Sequence, residues 1–261
     1  SLSSELSAAV ANQDALPSID YLHLGQHANV LTVLAAPLVA LFGRWALPLI
    51  QVGLLALAGL VLWRMASARL SRPLAIRLTA SYYLSGTVIG PLVENFHDLC
   101  WLPLLGFLVV DGLLKQGWRQ VMACSFLMLL VREDAGLTLF SLGLWASLRR
   151  PGARAIGLMV MAMSLVYVAV MTGWIQPQFD SSLSDRFLQE KFGHLLQGRT
   201  GGTFTVLWTM VTHPLRLLAA LVSPPGTTLA FLLAPALPLA FIPFVSLDVA
   251  LMVAVPLFIA L

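Results

Sequence analysis

Twenty consecutive residues, Ala155 to Trp174, carry no charged side chain. As a helix they would rise about 30 Å, the thickness of a bilayer's hydrocarbon core. In water such a segment would have to be wrapped by other residues. The rest of the chain cannot supply that wrapping, because 59% of its 261 residues are hydrophobic and 10% are charged. Soluble domains sit nearer 45–50% apolar and about 25% charged. The chain therefore reads as an integral membrane protein, all-α, a polytopic transmembrane helix bundle with short extracytoplasmic loops and interfacial helices.

Further apolar runs extend this reading. Candidate spans are Ala46–Leu62, Leu74–Leu92, Leu99–Leu114, Val121–Val131, Ala135–Leu148, Ala155–Trp174, Thr228–Val245 and Val249–Leu261. Val30–Phe42 is too short to span comfortably and reads as interfacial. Phe204–Val222, interrupted by His213, Pro214 and Arg216, reads as interfacial or re-entrant. Four regions result: an extracytoplasmic loop at 1–29, a first bundle at 30–175, an extracytoplasmic amphipathic segment at 176–203, and an interfacial helix with C-terminal transmembrane helices at 204–261. The chain opens on Ser1 without a methionine and closes inside an apolar run, so a piece of a longer protein is expected.

Lys and Arg set the orientation. Arg64, Arg69, Arg72 and Arg77, then Lys115 and Arg119, then Arg149, Arg150 and Arg154 occupy alternate loops, all of which can be cytoplasmic. Ten of the twelve acids then fall on the outer side, the exceptions being Asp111, read as a loop-end residue, and Asp248. The net charge of +3 is spread over these short clusters, which argues for topology signals and against nucleic acid as a partner. Cys100 and Cys124 lie in apolar runs without metal spacing and read as buried small side chains. No GxGxxG, P-loop or GxSxG occurs.

One feature breaks the apolar pattern. Arg132, Glu133 and Asp134 stand together between two short apolar runs. A single helix across this region would separate the Lys115/Arg119 and Arg149/Arg150 loops. Two helices of about 15 residues, roughly 22 Å each, keep both loops on one side and recess the charged turn below the outer surface. Each charge at mid-membrane costs about 2.5–3.5 kcal/mol, so the three must be paired or face a water-filled depression. Two more polar stretches reach the same side: Glu94, Asn95, His97 and Asp98, and Asp20, His23, Gln26 and His27. Converging polar loops over an apolar bundle are what a site looks like. The structural alternatives are a helix-end salt bridge for Arg132, a satisfied interfacial residue for His97, and a helix-cap region for His27. A divalent metal would suit the His, Asp and Glu set, yet there is no HExxH or other fixed ligand pair. The segment Gln176–Gly202 has helical spacing at Phe187, Leu188, Phe192, Leu195 and Leu196 and reads as a helix lying on the membrane, either a connector or a lid.

Four stretches carry a resemblance: "LGQHANVLTVLAAPLVALFG", "VENFHDLCWLPLLGFLVVDGLLKQGWRQ", "LLVREDAGLTLFSLGLWASLRR" and "ALPLAFIPFVSLDVALMVAVPLF". In this order the chain resembles the bacterial membrane proteins of the domain of unknown function 2079 family, its N-terminal loop most like the cyanobacterial members. The family's Leu-Gly-x-His, Phe-His-x-Glu and Lys/Arg-Glu-Asp motifs fall on Leu24–His27, Phe96–Asp98 and Arg132–Asp134. The second departs, with Leu99 where the acid is expected. The family is similar in layout to GT-C glycosyltransferases, which move a sugar from a polyprenyl-phosphate carrier on the outer face. The resemblance implies a GT-C-like bundle in a bacterial inner membrane, with a catalytic acidic motif expected upstream of Ser1. Taken with the converging polar loops, it points to His97, Glu133 and Asp134 as candidate catalytic residues and to Arg132, His27, Glu94 and Asp98 as candidate substrate-binding residues. Arg132 suits the donor phosphate because guanidinium binds phosphate bidentately. A transporter or flippase, or a non-catalytic subunit, remain the competing classes; the absence of an inverted repeat and of charge in the cytoplasmic half of the spans favours the enzyme.

Overall fold

The computed structural model describes residues 29–93, 95–179, 208–209, 212–213, 226 and 246–260. Regular structure among them is helical throughout, as an apolar environment requires of a backbone that must close its own hydrogen bonds. The fold is all-α.

The first apolar segment divides into α1 (Val30–Val33) and α2 (Ala36–Phe42). Asn29 caps α1, its side-chain oxygen accepting from the Thr32 N–H at 3.1 Å. At Gly43 φ is +55°, which side chains rarely adopt, and a 3₁₀ turn at Gly43–Trp45 then leads into α3 (Ala46–Ser67). The interfacial segment thus runs on as a helical stretch of 32 residues, Ala36–Ser67, and this stretch and Pro151–Ile175 are long and apolar enough to cross a membrane.

The span expected at Leu74–Leu92 is not continuous. It is split into α4 (Arg72–Tyr83) and α5 (Gly86–Val93) by a break at Leu84 and Ser85. The cause lies in the contact with α3. The Tyr82 and Tyr83 hydroxyls donate to the carbonyls of Leu55 and Ala56 at 3.2 and 2.7 Å. The Tyr83 ring occupies the space where Gly59 lacks a Cβ. Ser85 Oγ then donates to the Tyr82 carbonyl at 2.7 Å, closing the end of α4.

The two short helices around the charged turn are present. After α6 (Trp101–Lys115), α7 (Trp118–Leu129) and α8 (Ala135–Arg149) flank the turn. Their lengths of 12 and 15 residues correspond to roughly 18 and 22 Å. α8 packs on α9 (Arg154–Val170), where the backbones approach because Gly143 and Gly157 face each other. A Cβ on Gly143 would lie 2.7 Å from the Gly157 carbonyl oxygen. Small residues at helix crossings are how lipid-embedded helices gain van der Waals contact. A π-helical turn at Met171–Ile175 leads to α10 (Gln176–Phe179). The last described helix, α11 (Leu247–Ala260), docks on α8. There the Val255 N–H donates to Ser141 Oγ at 3.1 Å, and Asp248 accepts from Trp145 Nε1 and Arg149 Nε at 2.9 and 3.0 Å.

Two contacts fix the ends of the bundle. Gln51 on α3 bonds the His97 backbone before α6, and Arg64 thirteen residues later bonds Asp111 near the end of α6. The helices therefore run side by side in one direction, with about 20 Å between the two contacts. Lys115 also bonds Asp111, at 2.9 Å, and the Gln116 amide lies against Gly152. Arg64, Lys115 and the Arg149–Arg154 loop thus gather at one end, the basic end. Asp98 and the Arg132–Asp134 turn lie at the other, the acidic end. Asp111 corrects the sequence reading: it is a fully buried residue inside α6, clasped by two cations, not a loop-end residue.

A continuous core of buried Leu105, Val109, Val121, Met128, Leu129 and Leu139 joins α6, α7 and α8. The outward faces are apolar too: Leu41, Leu60, Leu158, Leu165, Val166 and Trp174 are exposed. In water this surface would be a large aggregation liability; against lipid it is at no disadvantage.

Of the 1–29 segment only Asn29, and of the 176–203 segment only residues 176–179, are among the described residues; the Thr228–Val245 span, nearly all of Phe204–Val222, and His23, His27 and Glu94 lie outside them.

Candidate functional site at the acidic end

The turn between α7 and α8 closes with short-range backbone bonds, Val131 N–H to Met128, Ala135 to Arg132 and Gly136 to Glu133, at 3.1–3.2 Å. Asp134 stands at the N-cap of α8, where a carboxylate ordinarily accepts from a backbone N–H. Here it makes no such cap bond. Both of its oxygens instead face the Arg132 guanidinium, which donates from Nε to Oδ1 at 3.1 Å and from Nη2 to Oδ2 at 2.7 Å. This is the bidentate fork that makes arginine geometrically selective.

The remaining Arg132 nitrogen points to a second carboxylate. Nη1 lies 3.7 Å from Asp98 Oδ1, and both side chains are 18% exposed. Asp98 opens the 3₁₀ turn that runs into α6, so both carboxylates sit at helix N-termini. The positive ends of the helix dipoles offset part of the excess negative charge there.

Asn29 completes the cluster. Its Nδ2 donates to Asp98 Oδ2 at 3.0 Å, and it is 6% exposed. Two residues on, the Leu31 N–H donates to the Leu130 carbonyl at 2.9 Å. The start of α1 is thereby pinned to both the Asp98 loop and the charged turn. Gln51 steadies that loop from the other side: it accepts from the His97 N–H at 2.7 Å and donates to the Pro91 carbonyl at 2.6 Å.

Of the residues singled out from sequence, Asp98, Arg132 and Asp134 meet directly. His97 adjoins them with an exposed side chain. Glu133 is buried and lies near Tyr167 on α9. The helix-end salt bridge weighed for Arg132 exists, and it extends to a carboxylate 34 positions away. Asn29 and Gln51 were not anticipated. A signal for each was present: Asn29 immediately precedes an apolar run, as an N-cap does, and Gln51 is a lone amide inside a span, where polar side chains are expensive without a partner. Among the described residues no group of three or more His, Cys, Asp and Glu side chains is arranged to hold a metal ion.

Chemically, the cluster offers one guanidinium shared by two carboxylates. Asp134 is 43% exposed and can rotate to water, whereas Asp98 is held by Asn29. A ligand anion can therefore replace Asp134 on the fork while Asp98 stays in place.

At the basic end, Asp248 presents the opposite case. Its hydrogen bonds from Arg149 and then Trp145 hold its carboxyl below the usual carboxylate range.

Neither the curated proteins nor the solved structures include a match to this chain. The model of a family described as predicted membrane protein (DUF2079) matches residues 1–261, and the chain belongs to that family.

Proposed function

We propose that the chain is part of a membrane glycosyltransferase-like enzyme of GT-C type that takes a sugar from a polyprenyl-phosphate donor at the outer membrane face. By the positive-inside rule the basic end faces the cytoplasm, which puts the Asp98–Arg132–Asp134 cluster outside. The observation that carries the reading is the bidentate hold of Arg132 on a half-exposed Asp134. A donor phosphate presents a similar pair of anionic oxygens and displaces that carboxylate, while its prenyl tail stays in lipid along the apolar helix faces. Asp134, once released, is an acceptor for the proton of an incoming hydroxyl. Asp98, steadied by Asn29, keeps the guanidinium aimed at the phosphate.

The test is binding of a short-chain polyprenyl phosphate to the purified protein in detergent. Arg132→Ala weakens it at least tenfold. Asp134→Asn removes the competing charge and tightens it several-fold, although turnover falls. A merely structural ion pair predicts no gain in the second variant. If a well-folded Asp134→Asn protein binds the lipid no better than the parent, and Arg132→Ala no worse, the reading is wrong. The transport reading draws on Asp111, a buried carboxylate in the half of α6 nearer the basic end. Its two cations make it a lock between helices, which favours the enzyme.

A further inference from the structure

A second site lies at the basic end, far from Arg132 and independent of the reading above. A cleft of about 190 Å³ opens between the end of α6 and the loop joining α8 to α9. It is smaller than the roughly 300–1,000 Å³ of cofactor and drug pockets. Its floor is apolar, with Leu113 and Ala153 buried, and its rim is polar, with Gln116 and Arg150 exposed.

Three observations point to one occupant. The first is charge. Lys115 and Arg149 bond Asp111 and Asp248 directly, whereas Arg150, whose charge reaches Asp248 only at longer range, makes no direct ion pair with a described carboxylate. Its guanidinium lies 5.4 Å over the Trp145 ring, which presets its direction at the rim. The second is strain. Gln116 has φ +59° and ψ +30°, and it is the one described residue other than glycine with positive φ. Gln116 is the C-cap of α6, a position where glycine is the usual choice, so a long side chain there carries a backbone cost. That amide lies over Gly152, where a Cβ would come within 3.2 Å of its nitrogen. The third is depth. The cleft opens where α6 and α8 end in Lys115 and Arg149, the level at which cations and headgroups meet.

We infer that the cleft between Gln116 and Arg150 binds the headgroup of an anionic phospholipid, Arg150 and the Gln116 amide taking the phosphate and the apolar floor the glycerol carbons. An anionic cytoplasmic leaflet attracts cations generally; here the assignment is to one cleft.

The experiment is lipid retention by the full chain in detergent, read by native mass spectrometry after exposure to equal phosphatidylglycerol and phosphatidylcholine. The parent retains phosphatidylglycerol at least fivefold over phosphatidylcholine. Arg150→Gln and the cleft-filling Gly152→Leu each abolish the preference, while Arg77→Gln, a change outside the cleft, leaves it. Gln116→Gly is the decisive variant: it relieves the backbone, so thermal stability holds or rises, yet phosphatidylglycerol retention falls. Equal retention of the two lipids by the parent overturns the proposal. So does unchanged preference in folded Arg150→Gln and Gly152→Leu, or in Gln116→Gly. Displacement of the lipid by soluble glycerol phosphate at matching concentration overturns the lipid assignment in favour of a free anion.

Discussion

At the acidic end two carboxylates share one guanidinium; at the basic end two cations share one carboxylate. Asp98 and Asp134 flank Arg132, while Arg64 and Lys115 flank Asp111. The ratios are inverted, and so is the burial. Asp111 is wholly buried with its partners about half exposed, at 58% and 48%. Arg132 is mostly buried and one of its partners, Asp134, is 43% exposed. In each cluster the shared residue is fixed and a partner faces water. The exposed groups at the basic end are cations, suited to headgroups. At the acidic end the exposed group is a carboxylate that can leave. Similar ion-pair chemistry thus buries the shared carboxylate at one end and leaves a partner carboxylate open to water at the other.

The two clusters stay apart only while the bundle between them holds, so the largest effect is expected in the middle. Gly143→Val pushes a side chain against the Gly157 carbonyl and the Met161 amide, which are backbone and cannot move aside. The expected loss is about 3 kcal/mol, visible as a large drop in thermal unfolding temperature in detergent, with both clusters disturbed. Next comes the lock. Breaking a buried pair costs about 3–5 kcal/mol when the remaining charge stays dry. Arg64 and Lys115 can rehydrate, so Asp111→Asn should cost about 2 kcal/mol. Arg64→Gln and Lys115→Gln should each cost less than about 1 kcal/mol. If the single cation changes match Asp111→Asn, the inverted geometry is not what stabilises that end.

Asn29→Ala has a smaller effect, at the acidic end. It removes one bond to Asp98 and one helix cap, an expected loss of about 1–2 kcal/mol in chemical or thermal unfolding. It also loosens Asp98, so binding of the phosphate donor weakens, whereas Asp111→Asn leaves binding intact once folding is corrected for. The smallest effect is at Asp248. Its carboxyl lies below the ordinary value of 3.8, so the link to Arg149 and Trp145 is fully present above that value. It fades as pH falls through the lowered value. Protease accessibility of α11 should therefore be flat from pH 8 to about pH 5 and rise only under strong acid. A rise near neutrality would contradict the assignment.

The sequence was most legible where lipid dictates the pattern. The short helices around Arg132 and the gathering of the basic segments both follow from apolar length and Lys/Arg spacing, and both appear in the structure. Long-range pairing was less legible. Periodicity does not say that Tyr82 and Tyr83 will bond carbonyls of α3 and end a helix early. Nor does it distinguish Asp111 near a helix end from Asp111 facing inward between two cations. The Asp98–Arg132 contact was approachable only as a shared face. Its partner Asn29 reads from sequence only as a helix cap, because the bond from its amide to Asp98 spans 69 positions.

The two clusters are expected to face opposite sides of the membrane. Thiol labelling of intact cells measures this directly. Cys100 and Cys124 are buried and can be replaced; single cysteines are then placed at His97 and Arg150. An impermeant maleimide added from outside should label position 97 and spare position 150 until the membrane is opened. Labelling of position 150 with protection of 97 would contradict the account and invert the molecule.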